Sequence, residues 1–166
     1  MRTAIALGSN LGDGLANLRA ARNAILRLPG ISPPIISSPV YETDPVDCEP
    51  GAQKFLNAVL EFNYEGDPLK LLKSLRDIEY VLGRPRSHRR NISRTIDIDL
   101  LYSGERTLDA EELQLPHRRM HTRKFVLQPL ADIRPELILP GQTKRVTQLL
   151  TEVHESGEVV RFSDAW

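Results

Sequence analysis

The chain has 166 residues, which suits one domain with its own hydrophobic core, so we expect residues 1–166 to form a single domain. Lys plus Arg and Asp plus Glu balance at 22 each, which lacks the basic excess of a general nucleic-acid binder. Cys48 is the only cysteine, so no intramolecular disulfide can form, and no apolar run approaches the roughly 20 residues of a membrane span. We expect a cytoplasmic protein with neither nucleic-acid nor membrane partners.

Hydrophobic periodicity divides the first two thirds of the chain into alternating strands and helices. The pattern predicts a strand at 3–7, a helix capped by Asn10 or Asp13 that stops at Pro29 and Gly30, strands at 35–41 and 54–64, a helix between the Asp67-Pro68 start and Gly83, and a strand at 95–102.

This β-α-β-β-α-β order is that of a ferredoxin-like sandwich, an α+β fold with a largely antiparallel sheet. Both helices then cover one face of the sheet, and we expect loops to cover the other face and carry a site. Beyond Gly104 we expect a C-terminal α/β extension: a hairpin near 102–109, helices starting near Thr122 and spanning 143–153, and a final strand at 158–162.

An arginine-rich loop runs directly into the last strand of this unit. Five arginines lie between residues 84 and 94, and Asp97 and Asp99 then alternate with isoleucine and leucine. Side chains two apart on a strand share a face and lie roughly 7 Å apart, so both carboxylates could hold a metal pair about 3.5–4 Å apart. Carboxylates and substrate phosphates suit Mg²⁺, and arginine clamps phosphate oxygens, so phosphoryl transfer on a nucleotide is indicated.

The same residues also fit a plainer interpretation. An Asp-x-Asp pair is often the solvated face of a half-buried sheet, and the arginines could simply pair with it. So many cations in one loop favour an anion site with a metal, although the pattern alone names no substrate.

Other candidates carry weaker signals. The glycine-rich turn from Gly8 to Gly14 joins a strand to a helix but matches neither the Walker pattern nor the dinucleotide-binding fingerprint, so a tight turn suffices to explain it. His117 and His121 are four apart, yet the neighbouring arginines favour an anion over a zinc ion. Phe55 lies opposite the apolar face of its strand, where it could stack on a ring.

Four segments together resemble the hydroxymethyl-dihydropterin pyrophosphokinase family of the folate pathway. They cover roughly residues 3–140 in sequence order, and the most specific is Arg-Thr-Ile-Asp-Ile-Asp at 94–99. The others are Ala6–Gly12, Tyr41–Pro45 with Phe55–Ala58, and the Pro-His…Met-His-x-Arg-x-Phe-Val-Leu-x-Pro-Leu stretch at 116–130.

The resemblance implies transfer of the β,γ-pyrophosphoryl unit of ATP to the hydroxymethyl oxygen of a reduced pterin, with release of AMP. Asp97 and Asp99 would bind two Mg²⁺ ions, and Arg84 and Arg94 would be catalytic, contacting the phosphates. The ATP site would be lined by Glu79, Arg84, Arg94, Leu113, His117 and Arg123. The pterin pocket would be formed by Gly8, Asn10, Thr43, Asp44, Val46, Phe55, Asn57 and Phe125. With ATP and the pterin as its ligands, the protein is expected to act as a monomer.

The chain also departs from the family pattern around the arginine loop. Ile92-Ser93 replaces the usual Gly-Pro, and Asn91 stands where many members have tryptophan. Arg118 follows the histidine in place of proline, and Asp47 replaces a glycine. We expect loop 84–94 to close over the substrates and exclude water.

Two alternatives remain open on sequence. An RNA-binding module of the same fold would use the arginines for phosphates and Phe55 for stacking, but it predicts further aromatics and a basic domain. A metal-dependent phosphohydrolase would use Asp97 and Asp99 but leaves Phe55 and Asn57 without a role. Incubation with ATP and the pterin separates them, because only a hydrolase makes AMP without the pterin and an RNA binder makes none.

Overall fold

The computed structural model describes residues 1–45, 50–85, 93–155 and 157–166. Within these ranges the elements are β1 (Arg2–Ser9), α1 (Gly14–Ile25), β2 (Ile31–Ser37), β3 (Val40–Thr43), β4 (Phe55–Tyr64), α2 (Pro68–Val81), β5 (Asp97–Ser103), β6 (Leu108–Asp109), β7 (Gln114–Leu115), a 3₁₀ turn (Met120–Thr122), α3 (Lys124–Ile133), α4 (Val146–Glu152) and β8 (Val159–Ser163). None of these helices has the length and apolar character needed to span a bilayer.

The main sheet confirms the predicted α+β class and ferredoxin-like order. Its strands run β5-β1-β4-β3-β8, β2 also pairs with β4, and each pairing is antiparallel. The β1 strand therefore lies between β4 and β5, and the site-bearing ends of these three strands are neighbours.

The two helices of the β-α-β-β-α-β unit begin at the predicted caps. Asp13 accepts a hydrogen bond from the Ala16 N–H at 3.0 Å, and Asp67 accepts one from the Leu69 N–H at 3.0 Å. Gly83 follows α2 with a positive φ of 97°, a conformation that favours glycine. Asn10, the other candidate cap for α1, instead takes part in the site.

The expected strand at 35–41 is wrong: the chain forms two strands, β2 and β3, which pair with successive parts of β4. They are separated at Ser38 and Pro39. The Ser38 hydroxyl accepts from the Val59 N–H at 2.8 Å, so a side chain replaces part of the ladder there. Proline has no N–H to donate, which accounts for the break.

The second face of the sheet is covered by helices and not by loops alone, so the expectation for this face is wrong. Helices α3 and α4 pack on it and bury a second apolar cluster that includes Val59, Leu101 and Leu130. The first cluster lies under α1 and α2 and includes Ile98 and Phe62. The site is therefore confined to one end of the sheet rather than spread over an open face.

The elements after β5 lie close to the predicted positions, with one exception. Helices α3 and α4 and strand β8 are present, starting within three residues of expectation. The hairpin is not at 102–109, because β5 continues to Ser103 and the paired strands are β6 and β7. Its turn is closed by hydrogen bonds between Ala110 and Leu113.

An irregularity interrupts the pairing of β5 with β1. Ala4 lies opposite Tyr102, but the next residue, Ile5, lies opposite Leu100, so Leu101 is an extra residue on β5. Beyond this bulge, the side chains of Leu101 and Tyr102 both reach the cluster under α3 and α4. The segment carrying Asp97 and Asp99 keeps regular alternation.

Candidate active site

Strand register assembles the centre of the site. Gly8 on β1 lies opposite Asp97 on β5 and opposite Asn57 on β4, so the carboxylate and the amide flank a residue without a side chain. A Cβ atom at Gly8 would lie only 2.9 Å from the Asn57 Oδ1. Glycine is therefore needed for this close approach, and it leaves space between Asp97 and Asn57.

A small aromatic pocket opens at this point. Its volume is about 80 Å³, and Phe55 and Phe125 lie on its wall. The buried Asn57 donates its Nδ2 to the Thr43 Oγ1 at 2.7 Å, which fixes the amide plane and leaves Oδ1 on the Gly8 side. The pocket is lined by Ala6, Leu7, Gly8, Thr43, Asp44, Phe55, Asn57, Arg94, Asp97, Asp99, Arg123 and Phe125.

Three arginines surround the two carboxylates. Arg84 contacts both Glu79 and Asp97, and Arg94 Nη1 lies 2.7 Å from Asp97 Oδ2. Arg123 Nη1 lies 3.6 Å from Asp99 Oδ2. Burial and the neighbouring Asp97 raise the pKa of Asp99 above its ordinary value, while the arginines oppose that rise. The three arginines therefore favour the ionised form of Asp99.

A larger cleft of about 890 Å³ adjoins the other side of the carboxylates. Burial raises the pKa of Glu79 to about 7, against the attraction of Arg84. Burial and three nearby arginines lower the pKa of His117 to about 4, so its imidazole is neutral at neutral pH. The cleft is lined by Leu72, Arg76, Glu79, Tyr80, Arg84, Pro85, Asp97, Ile98, Asp99, Leu100, Asp109, Ala110, Glu111, Glu112, Leu113, Gln114, His117 and Arg118.

Asp97 and Asp99 are the residues that line both cavities. They have partly exposed side chains, at 27% and 36%, so their oxygens can reach a ligand. Within the described ranges, no group of three or more His, Cys, Asp or Glu side chains could hold a metal ion. Two carboxylates fit Mg²⁺ nonetheless, because this ion usually takes its remaining ligands from phosphates and water.

The structure brings most of the predicted site residues together, in two groups around the two cavities. Arg94 and Arg123 line the small pocket rather than the large cleft. Asn10 lines neither: its Oδ1 accepts from the Arg94 N–H at 2.7 Å, and its Nδ2 donates to Ser93 and to the Gln53 carbonyl. Val46 and positions 86–92, which include most of the predicted closing loop, lie outside the described residues.

The sequence did not indicate several residues that line the large cleft or contact the elements around the site. Arg76, Tyr80 and Gln114 line the large cleft, and only their helical or strand spacing could have indicated them. Glu155 accepts a hydrogen bond from the Lys124 N–H at 2.7 Å, at the start of α3. No local pattern links residues 31 positions apart, so this contact had no sequence signal.

A carboxylate pair shared by two cavities and surrounded by arginines suits the transfer of a phosphoryl group between two bound substrates. The site is therefore that of a protein of the phosphotransferase class. The model of the 7,8-dihydro-6-hydroxymethylpterin-pyrophosphokinase family matches residues 4–135, and the chain belongs to this family. As a member, it is a pyrophosphoryl-transferring enzyme of folate biosynthesis.

Individual relatives agree with this assignment. A 2-amino-4-hydroxy-6-hydroxymethyldihydropteridine pyrophosphokinase from Pseudomonas aeruginosa is 42% identical over 140 residues, covering 84% of each chain. The enzyme of the same name from Haemophilus influenzae is 38% identical over 160 residues, covering 96% of this chain and 92% of its own.

Solved structures show the same fold. A Plasmodium falciparum HPPK-DHPS structure with pterin and p-hydroxybenzoate matches with a TM-score of 0.69 at 16% identity, covering 91% of this chain and 42% of its own. The chain therefore spans less than half of that longer protein. At this identity the likeness concerns the fold alone.

Proposed function

We propose that the protein transfers the β,γ-pyrophosphoryl unit of ATP to the hydroxymethyl group of 6-hydroxymethyl-7,8-dihydropterin, releasing AMP, with two Mg²⁺ ions. One observation supports this most directly: Asp97 and Asp99 lie on the wall of both cavities. A group passing between a ligand in the cleft and a ligand in the aromatic pocket would remain beside the same two carboxylates. Family membership supplies the chemical identity of the two ligands.

ATP is assigned to the larger cleft. Its volume of about 890 Å³ suits a nucleotide, whereas the aromatic pocket holds about 80 Å³. Glu79, Leu113 and His117 would line the nucleoside end and its approach, while Arg84 would hold phosphate oxygens next to Asp97. Arg94 and Arg123, on the pocket side, would contact the transferring group from the direction of the acceptor. Guanidinium charge there favours the loose transition state.

The pterin is assigned to the aromatic pocket. Phe55 and Phe125 would stack on its ring, and the Asn57 Oδ1 would accept a hydrogen bond from an N–H group at the ring edge. Thr43 holds the amide in the orientation that this requires. Gly8 and Asp44 complete the wall, and the hydroxymethyl group would point toward the carboxylates.

The metal ions are assigned to Asp97 and Asp99. When bound, Mg²⁺ would draw charge from the β- and γ-phosphates and orient them for in-line attack. In the protein as described, Arg84, Arg94 and Arg123 neutralise these carboxylates. The proposal also includes a monomer acting in the cytoplasm, consistent with the lone cysteine.

The reaction can be tested by incubating the purified protein with ATP, Mg²⁺ and 6-hydroxymethyl-7,8-dihydropterin. We expect stoichiometric AMP and pterin pyrophosphate, and no AMP when the pterin is omitted. AMP formation that does not require the pterin would indicate a phosphohydrolase. The absence of AMP with both substrates present would contradict the proposal.

A further inference from the structure

The C-terminal segment beyond the family match reaches the aromatic pocket. The match ends at residue 135, whereas β8 comes later in the chain and extends the sheet beside β3. In this pairing Val159 lies opposite Thr43, the residue that orients the Asn57 amide. The described residues just before β8 therefore lie next to Thr43 and Asp44, two residues that line the pocket.

Glu155, in this segment, caps the helix that carries one side of the pocket. Its Oε2 accepts a hydrogen bond from the Lys124 N–H at 2.7 Å, the first backbone donor of α3. Arg123, at the N-cap position, supplies no side-chain cap of its own. A carboxylate at this end also interacts favourably with the helix dipole. Glu155 thus takes the role that a local cap residue would normally have.

The capped end of α3 holds two residues of the small pocket. Phe125 and Arg123 both line it, and the Arg123 guanidinium lies 5.3 Å from the centre of the Phe125 ring. Arg123 also lies 3.6 Å from Asp99. Neither residue lines the large cleft. The position of the helix end therefore affects the aromatic pocket directly, and the large cleft only through Arg123 and its contact with Asp99.

A second contact joins the residues before β8 to Asp44, which also lines the aromatic pocket. The Glu158 N–H donates to Asp44 Oδ2 at 3.1 Å. Gly157, with a positive φ of 112°, brings the backbone close enough for a Cβ there to lie 3.5 Å from the Asp44 Cβ. The segment thus touches the wall formed by Asp44 and the wall formed by α3.

We infer that Glu155 is a positioning residue for the acceptor pocket, acting through the Lys124 N–H to set Phe125 and Arg123 against the ring. This inference rests on the proposed function, since it takes the reduced pterin as the ligand of that pocket. It predicts that Glu155 governs affinity for the pterin, which both residues would contact, and has a smaller effect on affinity for ATP, which Arg123 alone would contact.

The test compares Glu155→Ala, Glu155→Gln and the control Glu158→Ala in the full chain. Glu158 uses its backbone N–H in the contact to Asp44, so the control removes a nearby carboxylate and keeps that bond. By titration calorimetry, Glu155→Ala should bind the pterin roughly three- to tenfold more weakly, as for a lost helix cap, with a smaller loss of ATP affinity. Glu155→Gln retains an acceptor oxygen and should recover most of the affinity.

Hydrogen exchange in the ligand-free protein provides a readout that does not depend on the pterin. Amides at the start of α3 should exchange faster in Glu155→Ala than in the wild type, and at the wild-type rate in Glu158→Ala. Unchanged exchange, or equal loss of pterin and ATP affinity in Glu155→Ala, would overturn the inference. If the wild type itself binds no pterin, the proposed function fails, whereas the exchange result still decides whether Glu155 caps the helix.

Discussion

Gly8 is placed where the absence of a side chain has chemical consequences. It separates Asp97, at the centre of charge, from Asn57, which offers an amide oxygen to the aromatic pocket. A Cβ at this position would approach the Asn57 Oδ1 to 2.9 Å, so even an alanine would have to displace the amide. The aromatic pocket proposed for the pterin and the charged centre at Asp97 are thus adjacent because the residue between them has no side chain.

Loss of either carboxylate should stop turnover without unfolding the protein. Asp97→Asn and Asp99→Asn keep the side-chain shape but remove charge that would hold Mg²⁺, which should cost several kcal/mol of transition-state stabilisation. Asp164→Asn, which changes an exposed carboxylate outside both cavities, is the matched control. Initial rates at saturating Mg²⁺ and thermal unfolding are to be measured. Near-normal rates in both site variants would refute the metal assignment.

Substitutions in the aromatic pocket should separate the two ligands. Phe55→Ala removes about 0.5–1.5 kcal/mol of stacking in addition to buried ring area, and Asn57→Ala removes the acceptor for the ring edge. Pterin affinity should fall at least tenfold and ATP affinity should change little. Phe162→Ala alters an exposed aromatic outside both cavities and should change neither. Calorimetric titrations showing equal losses for both ligands would place the pterin elsewhere.

His117 should make the protein less stable in mild acid. Its pKa is about 4 in the folded protein against an ordinary 6.5, so the unfolded chain binds more protons between these values. Stability from this residue is fully present above pH 6.5 and is lost as the pH falls toward 4. His117→Gln should reduce the loss of unfolding free energy between pH 7 and 4 by roughly 2 kcal/mol. Urea titrations giving parallel curves for the two proteins would contradict this.

Asn10 connects elements that the sequence separates widely. It follows β1, and its side chain bonds to Ser93 and Arg94 before β5 and to Gln53 before β4. Its own N–H also donates to the Arg94 carbonyl at 3.1 Å. Asn10 therefore holds the backbone of Arg94 in place between the ends of three strands.

Removing the Asn10 side chain should release the Arg94 backbone from these hydrogen bonds. Asn10→Ala leaves the Arg94 N–H without its acceptor, which should cost about 1–3 kcal/mol of stability and reduce turnover. Asn10→Asp keeps an acceptor for the Arg94 N–H and should recover part of both. Asn23→Ala, exposed on α1, is the control. Wild-type turnover and melting temperature in Asn10→Ala would show that the hydrogen bonds of the Asn10 side chain have no role in positioning Arg94.

The sequence predicted those elements whose signals are local. Asp67, Pro68 and Gly83 mark the start and end of α2, and the alternation of aspartate with isoleucine indicated the face of β5. The alternation of apolar residues across Pro39 predicted one strand where the chain forms β2 and β3, and the bond from the Val59 N–H to Ser38 that accompanies the break has no sequence signal. Nor did the sequence indicate Glu155, whose partner lies in another element. Long-range hydrogen bonds are the part that periodicity cannot reveal.

At the scale of the whole molecule, the sheet has an apolar cluster on each face, and this supports our proposal that residues 1–166 form one domain. Trp166 belongs to the first of these clusters and is only 6% exposed. Its Nε1 donates a hydrogen bond to the Ser38 carbonyl at 2.8 Å, and the Arg22 guanidinium lies 5.1 Å from the centre of its ring. This tryptophan therefore stabilises the edge of the sheet near β3, while lining neither cavity.

Truncation of this side chain should affect stability and leave the chemistry intact. Trp166→Ala should lower the unfolding free energy by about 3–5 kcal/mol, because a large buried ring and its hydrogen bond are lost. Trp166→Phe should lose less, since it keeps most of the apolar volume. Denaturant titration measures both, and the turnover of protein that remains folded should match the wild type. A small loss in Trp166→Ala would show that this tryptophan contributes little to the fold.

The bulge at Leu101 has a consequence for how this chain can change over evolution. A slip of β5 by one residue would turn both aspartates into the apolar cluster under α1 and α2, ending all activity at once. Regular pairing with β1 is interrupted between Leu100 and Tyr102. An insertion or deletion after Tyr102 can therefore change the pairing at the bulge without shifting the register of residues 97–100. The hairpin beyond β5, on the rim of the large cleft, can therefore change in length and composition while Asp97 and Asp99 keep their register with β1.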